Sequence, residues 1–365
     1  MTSTPSETLA WIGLNSVPGV GRRTFRKLAA AFGSPGKVLA ATPEEIAAVP
    51  GVPDKVALAI GSHAWREQAE QELERAESAG VAVLTSADDA FPACLRDIPD
   101  APLYLYVRGT LTAGDGGAVA LVGTRTPTQY GLTVTRRMAN ELAQAGRTVV
   151  SGCARGIDTA AHQGALAGGG RTIAVLGCGI DVAYPPENRG LLEEIAVNGA
   201  VLSENPFGTR PESGYFPGRN RIISGLAAGT VIIEASEDSG SLITADFARK
   251  QSRKLFAVPG NVSSPVSKGS NSLISQGAIL VSQAADVLRH LGGRDVPPQL
   301  QPPLPLLSPD EAAALSQLTS EPLHIDDLGA KLGSDPGRLS GVLTVLELKG
   351  LAKQLPGKYF MRVAT

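Results

Sequence analysis

The feature that most constrains the fold is an alternation running from residue 118 to residue 281. Near-continuous apolar runs recur there: AVALVG (118–123), RTVVSG (147–152), RTIAVLG (171–177), AVLSE (200–204), TVIIEA (230–235), KLFAVPG (254–260) and AILV (278–281). Between them lie segments of helical character, over Tyr130–Ala145, Asp158–Ala167, Asn220–Leu226 and Ser241–Gln251. Strands that are apolar on both faces need helices covering both sides of their sheet. A doubly wound, Rossmann-like α/β fold with a parallel sheet meets that need, and it places a ligand beyond the carboxyl ends of the strands. Two short strands, Val81–Leu84 and Leu103–Val107, precede it.

The flanks read differently. Residues 1–80 are helical in pattern, with apolar residues at three- and four-residue spacing through Thr24–Phe32 and Val56–Ile60. Two turns punctuate them, Pro18-Gly19-Val20-Gly21 and Pro50-Gly51-Val52-Pro53. The pair resembles SAM-like helix-hairpin-helix motifs, although Pro53 departs from the pattern. Gly19, Gly21, Arg22 and Arg23 are the candidates for a secondary DNA contact there, because a glycine turn can leave helix N-terminal amides open to a phosphate. The alternative is a small helical bundle with two tight turns. Residues 292–307 carry five prolines and read as an extended linker. Residues 308–365 suggest a winged helix: Ser308-Pro309-Asp310-Glu311 starts one helix, Ile325–Leu332 and Pro336–Lys349 form two more, and Gly350–Val363 forms a hairpin. The third helix holds Arg338 and Lys349 against Glu347, which favours protein contact over duplex reading. The boundaries expected are thus 1–80, 81–291, 292–307 and 308–365.

Composition excludes several classes. A 43% hydrophobic, 19% charged chain of 365 residues is globular and long enough for two or three domains. No apolar run approaches the ~20 residues of a membrane span, and the start lacks a basic-then-apolar signal, so a cytoplasmic protein is expected. Three cysteines and four isolated histidines suggest neither a disulfide framework nor a metal site. Net charge is −2, yet residues 116–290 hold 16 basic against 13 acidic side chains, a mild hint of an anionic ligand.

The chemistry-bearing residues cluster at strand ends. Gly123, Thr124 and Arg125 follow the first core strand, where a glycine turn exposes amides and a guanidinium offers a fork to phosphate. This is neither GxGxxG nor a Walker loop, so a dinucleotide or nucleoside triphosphate pocket of the usual kind is disfavoured. Ser151 and Gly152 end the next strand and are placed to meet a ligand, whereas Asp158 is expected to cap the following helix. Cys153 has no histidine placed beside it and reads as a packed residue. The run Thr209-Arg210-Pro211 to Phe216-Pro217-Gly218-Arg219-Asn220-Arg221 combines cations, a ring and a helix start. Arg210, Phe216, Arg219, Asn220 and Arg221 are candidates, since single-stranded nucleic acid needs cations along its backbone and rings for its bases. Arg219 and Arg221, two apart, are not expected to face one ligand together, and one of them suggests an internal salt bridge. Ser239, Gly240 and Ser241 form another anion cradle at a helix start.

Taken in order, VGTRTPTQYG, SGCARGID, GCGIDVAYP, SENPFGTRP, FPGRNRIISGL, SGSLITA and the PGN…GSN.LI..GA tail resemble the DprA/Smf family of bacterial DNA-processing proteins. The resemblance covers residues 119–278 and is specific at each motif. It implies a non-catalytic protein of natural transformation that binds single-stranded DNA, protects it and loads the RecA recombinase. It further implies a homodimer formed through the Rossmann-like domain, with no cofactor, no metal and no membrane contact. Carried over by position, Arg125 would contact phosphate, Arg210, Phe216, Arg219, Asn220 and Arg221 would form the basic-aromatic surface, and Ser239–Ser241 would add backbone contacts. Two alternatives are an interaction scaffold without DNA and a lysine-decarboxylase-like phosphoribohydrolase. The latter's PGGxGTxxE signature ends in a carboxylate where this chain has Thr244.

Overall fold

The computed structural model describes residues 4–292, 307–319 and 321–363. The chain divides into two compact units, Met1–Val296 and Pro297–Thr365. Apart from its two end residues, the linker expected over 292–307 lies outside the described residues.

The first unit opens with six helices: α1 (Pro5–Ser16), α2 (Arg22–Phe32), α3 (Pro35–Ala40), α4 (Pro43–Ala47), α5 (Asp54–Gly61) and α6 (Trp65–Ser78). Their starts are written in the sequence. Thr4 and Thr42 each form a capping box with the glutamate three residues on, Ser34 accepts from the Lys37 amide, and a proline opens all three helices.

Nine strands follow in one sheet: β1 (Ala82–Thr85), β2 (Tyr104–Gly109), β3 (Ala118–Val122), β4 (Val149–Ser151), β5 (Thr172–Leu176), β6 (Ala200–Ser203), β7 (Ala227–Ile232), β8 (Lys254–Ala257) and β9 (Ile279–Leu280). Their order is β1-β2-β6-β5-β4-β3-β7-β8-β9. Every neighbouring pair from β6 to β9 is parallel. The two leading strands join this sheet antiparallel: β1 pairs with β2, and β2 with β6. The helices on the sheet are α7 (Ala93–Arg96), α8 (Gln129–Gln144), α9 (Ile157–Ala167), α10 (Arg189–Asn198), α11 (Tyr215–Leu226), α12 (Gly240–Lys250), α13 (Lys268–Ser275) and α14 (Ala284–Leu291). β3 and β5 are buried along their whole length, as strands covered on both faces must be.

The N-terminal helices are not a separate bead. One hydrophobic cluster joins Leu14, Phe25, Ile60 and Trp65 to Val81, Tyr104 and Tyr106. The boundary expected at 80/81 therefore falls inside a shared core.

The second unit has α15 (Pro309–Gln317), α16 (Ile325–Leu332) and α17 (Pro336–Leu348) with a three-stranded sheet of β10 (Leu323–His324), β11 (Ala352–Leu355) and β12 (Tyr359–Arg362) in the order β10-β12-β11. Ser308 caps α15 in a capping box with Glu311. Helices and hairpin follow the winged-helix expectation.

Candidate nucleic-acid interface

The chain runs from β3 to β4, β5 and β6 on one side, then returns to β7, β8 and β9 on the other. β3 and β7 are thus the adjacent strands at which the winding reverses, and a crevice opens beyond their carboxyl ends. A cleft of about 580 Å³ lies there, lined by the loops after β3 and β7 and by the start of α11.

The β3 loop is fixed from below by β7. The Thr124 amide donates to the Glu234 carbonyl at 2.7 Å. The Glu234 carboxylate is buried and accepts from the Thr128 amide at 2.9 Å and the Thr128 hydroxyl at 2.6 Å. Thr128 in turn caps α8. Arg125 is thereby held out from the turn, exposed, with its guanidinium 5.3 Å from the centre of the Phe216 ring. Phe216 is half-buried and tilts against Tyr184, ring centres 5.6 Å apart. A cation over one ring and a second ring beside it make a polar-edged stacking platform.

Arg219 forms the floor. Only 7% exposed, it donates from Nη1 to the Gly152 carbonyl at 2.7 Å and to the Val175 carbonyl, and its Nε has no partner among the described residues. Burial lowers its pKa, with Asp158 pulling the other way. The approach requires glycine at 152, where a Cβ would lie 2.2 Å from Nη1, and at 177, where a Cβ would lie 2.8 Å from Phe216. On the far wall, Ser239 caps α12 and its Oγ lies 2.7 Å from that of Ser241. Asn220 leans across to the Gly240 carbonyl at 3.3 Å. The start of this 11-residue helix adds partial positive charge to the wall.

Gly123, Thr124, Arg125, Phe216, Arg219, Asn220 and Ser239–Ser241 are therefore brought together around one cleft. The remaining candidates lie elsewhere. Arg221 is two residues, or about 200°, round α11 from Arg219. It is 2% exposed and gives Nη2 to both Glu204 oxygens at 2.7 Å, so its guanidinium does not face the cleft. Ser151 is buried and donates to the Leu121 carbonyl at 2.7 Å, and Gly152 sits beneath Arg219 rather than at the surface. Arg210 is exposed on the adjoining loop, outside the lining residues. At the N-terminal turn, Gly19 has φ +88° and Gly21 precedes α2. Arg22 reaches Glu204 at 3.3 Å, while Arg23 stays exposed. Arg26 and Lys27, which follow, donate to the Ala101 and Pro50 carbonyls.

Asp158 corrects another expectation. Gly156 is the cap of α9, and the Asp158 carboxylate instead accepts from the Gly152 and Ala154 amides at 3.2 and 3.3 Å, fixing the β4 loop. Burial pushes this carboxyl up, against the pull of Arg219. It is the one carboxylate in the lining of the cleft among the described residues, and its bonded oxygen already serves two amides. Cys153 is fully buried and its thiol is pushed up to about 12, chiefly by desolvation, which keeps it protonated and inert at neutral pH. Sequence reasoning assigned no role to Tyr184, Ser213 or Ile243, which also line the cleft. Tyr184 and Ile243 lie inside the motifs GCGIDVAYP and SGSLITA, while Ser213 carries no signal of charge or spacing.

Three family models match this chain. Residues 82–292 match DNA recombination-mediator protein A, 297–358 the DprA winged helix domain, and 12–63 a SAM-like helix-hairpin-helix tandem. The chain belongs to the DNA recombination-mediator protein A family. Protein Smf of Synechocystis sp. is 34% identical over 98% of this chain and 99% of that relative. DNA processing protein A from Streptococcus pneumoniae superposes with a TM-score of 0.69 at 33% identity, over 79% of this chain and 98% of its own. A structure solved for the single-stranded DNA binding mode of DNA processing protein A from Helicobacter pylori superposes with a TM-score of 0.51 at 34% identity, over 58% of this chain and 95% of its own. Among the described residues, no helix is long and apolar enough to cross a membrane.

Proposed function

We propose that this protein binds single-stranded DNA in the cleft beyond β3 and β7 and breaks no bond in it. The observation that carries the reading is the convergence of Arg125 over Phe216, the buried and partly unpartnered Arg219, and the Ser239–Ser241 helix start on one crevice. Phosphates take the guanidinium and the helix amides, while bases take the Phe216 ring. The protein protects incoming strands and loads RecA onto them in the cytoplasm, working as a homodimer through its Rossmann-like part. This follows the functions implied by family membership, and the ligand follows the DNA named for the H. pylori relative.

A hydrolase in the same cleft would need a free carboxylate. Asp158 serves backbone amides and Glu234 is locked under Thr128. A cleft that sets the Phe216 and Tyr184 rings beside the Arg125 guanidinium favours strands whose bases are unstacked. The test is competition against a labelled oligo-dT. Unlabelled single strand should displace it and duplex of equal length should not, and equal competition by duplex would refute the reading.

A further inference from the structure

Two side chains of the N-terminal helices cross to the loop that forms the rim of the cleft. Glu72, on α6, is buried, and its Oε1 accepts from the Phe207 amide at 2.7 Å and from the Tyr106 hydroxyl at 2.7 Å. Burial and the neighbouring Tyr104 and Glu72 push the Tyr106 phenol far above its usual range, so it stays a donor. The Phe207 ring packs edge-on to Tyr106, centres 5.5 Å apart. On its other side the same loop is tied to the end of β5: the Gly208 amide donates to Asp181 at 2.9 Å, and the Gly179 amide donates to the Thr209 carbonyl at 2.9 Å. Three residues beyond Gly208 comes Pro211, which lines the cleft, followed by Ser213 and Phe216. The second crossing is Arg22, on α2, whose Nη1 lies 3.3 Å from the Glu204 carboxylate that also holds Arg221 of α11. Neither Glu72 nor Arg22 lines the cleft.

We infer that Glu72, assisted by Arg22, is a positioning residue for single-strand binding: the N-terminal helices brace the 204–209 loop and so hold Phe216 and Arg219 in their binding geometry. The inference rests on the cleft being the DNA site. It follows from accounting for the loop's backbone. The Phe207 amide is donated to a carboxylate 135 residues away in sequence rather than to a local partner. Without that acceptor the amide must turn to water, and the chain leading to Phe216 gains conformations. Affinity then falls by the fraction of molecules still competent, while the phosphate contacts, once made, are unchanged.

The test uses the full chain and a 15-nucleotide oligo-dT, with dissociation constants measured across a range of salt. Glu72→Ala should weaken binding about tenfold, as it would if about one molecule in ten kept the competent loop, with the slope of log affinity against log salt unaltered. Glu72→Gln keeps an oxygen that can accept both bonds and should bind within about threefold of the unaltered protein. Arg22→Ala, at a side chain 38% exposed and safe for folding, should weaken binding severalfold, also at constant slope. Amide exchange of the free protein should rise at 205–214 in Glu72→Ala and not in Glu72→Gln. Affinity within twofold of normal in a folded Glu72→Ala, or a Gln variant as weak as the Ala variant, would overturn the inference. If Glu72→Ala does not fold, Arg22→Ala decides: unchanged affinity, or a slope lowered by about 0.7 as a direct phosphate contact requires, overturns it. Failure of the underlying reading is distinct, since the unaltered chain would then not bind the oligonucleotide, whereas the exchange experiment needs no DNA.

Discussion

Removing the Glu204 carboxylate should destabilise the protein through Arg221, and the size of the effect follows from burial. Arg221 is 2% exposed, with Nη2 at 2.7 Å from both oxygens and Nε without a partner among the described residues. In Glu204→Ala the guanidinium keeps only the Gly218 carbonyl at 3.2 Å. Leaving a buried charge unpaired costs about 3–5 kcal/mol. Because Glu204 itself is 26% exposed, and water can enter its place, the low end of about 3 kcal/mol applies. The companion bond from Arg22, a side chain 38% exposed, adds at most about 1 kcal/mol. At roughly 2–4 °C per kcal/mol, the melting temperature should drop by about 6–16 °C. Replacing both partners, Glu204→Ala with Arg221→Met, removes the uncompensated charge and should recover most of that loss, giving a coupling of about 2–3 kcal/mol in a double-mutant cycle followed by thermal melting. Arg221→Met should also leave the salt dependence of single-strand binding as it was. Melting within 2 °C of the unaltered chain, or strictly additive single and double variants, would refute the pairing; a salt slope reduced by about 0.7 would put Arg221 on a phosphate instead.

Phe216→Leu keeps an apolar contact and loses the stacking face. It should weaken oligonucleotide binding about tenfold, within the ~1–3 kcal/mol of a base–ring contact, at unchanged salt slope in an anisotropy titration. Asp115→Asn tests the ligature below the sheet. Burial raises the Asp115 carboxyl, but bonds from Arg171, the Thr112 amide and Thr148 outweigh it and leave the group below its usual value. A depressed carboxyl stabilises above its unfolded pKa of about 3.9 and loses that contribution as pH falls through the folded value. The variant should therefore melt lower at pH 7, by about 2–3 kcal/mol of stability, and the gap should close in melts carried below pH ~4.

Much of the fold was legible because a doubly wound sheet repeats one simple pattern. Apolar strands such as 118–122 and 172–176, separated by helices, allow few other arrangements. The antiparallel entry of β1 and β2 was not legible, since strand direction leaves no mark on composition. The cleft was legible where chemistry is local: a glycine turn projecting Arg125, a serine starting α12. It was not legible where function depends on direction. Arg219 and Arg221 look alike in sequence, yet opposite faces of α11 send one beneath the cleft and the other to Glu204. Arg22 reads as a free cation beside a glycine turn until a carboxylate 182 residues away is brought to it. Asp158 has the position of a helix cap, but the loop ahead of α9 folds back and offers it two amides.

The most direct test of the account is the salt dependence of oligo-dT binding by the full chain and by Arg125→Ala. Arg125 is exposed and, among the described residues, no hydrogen bond or ion pair to its guanidinium is seen, so its loss should leave the fold intact. The account predicts weaker binding and a slope of log affinity against log salt shallower by about 0.7, the mark of one lost phosphate contact. An Arg125→Ala protein with the affinity and slope of the unaltered chain would contradict it.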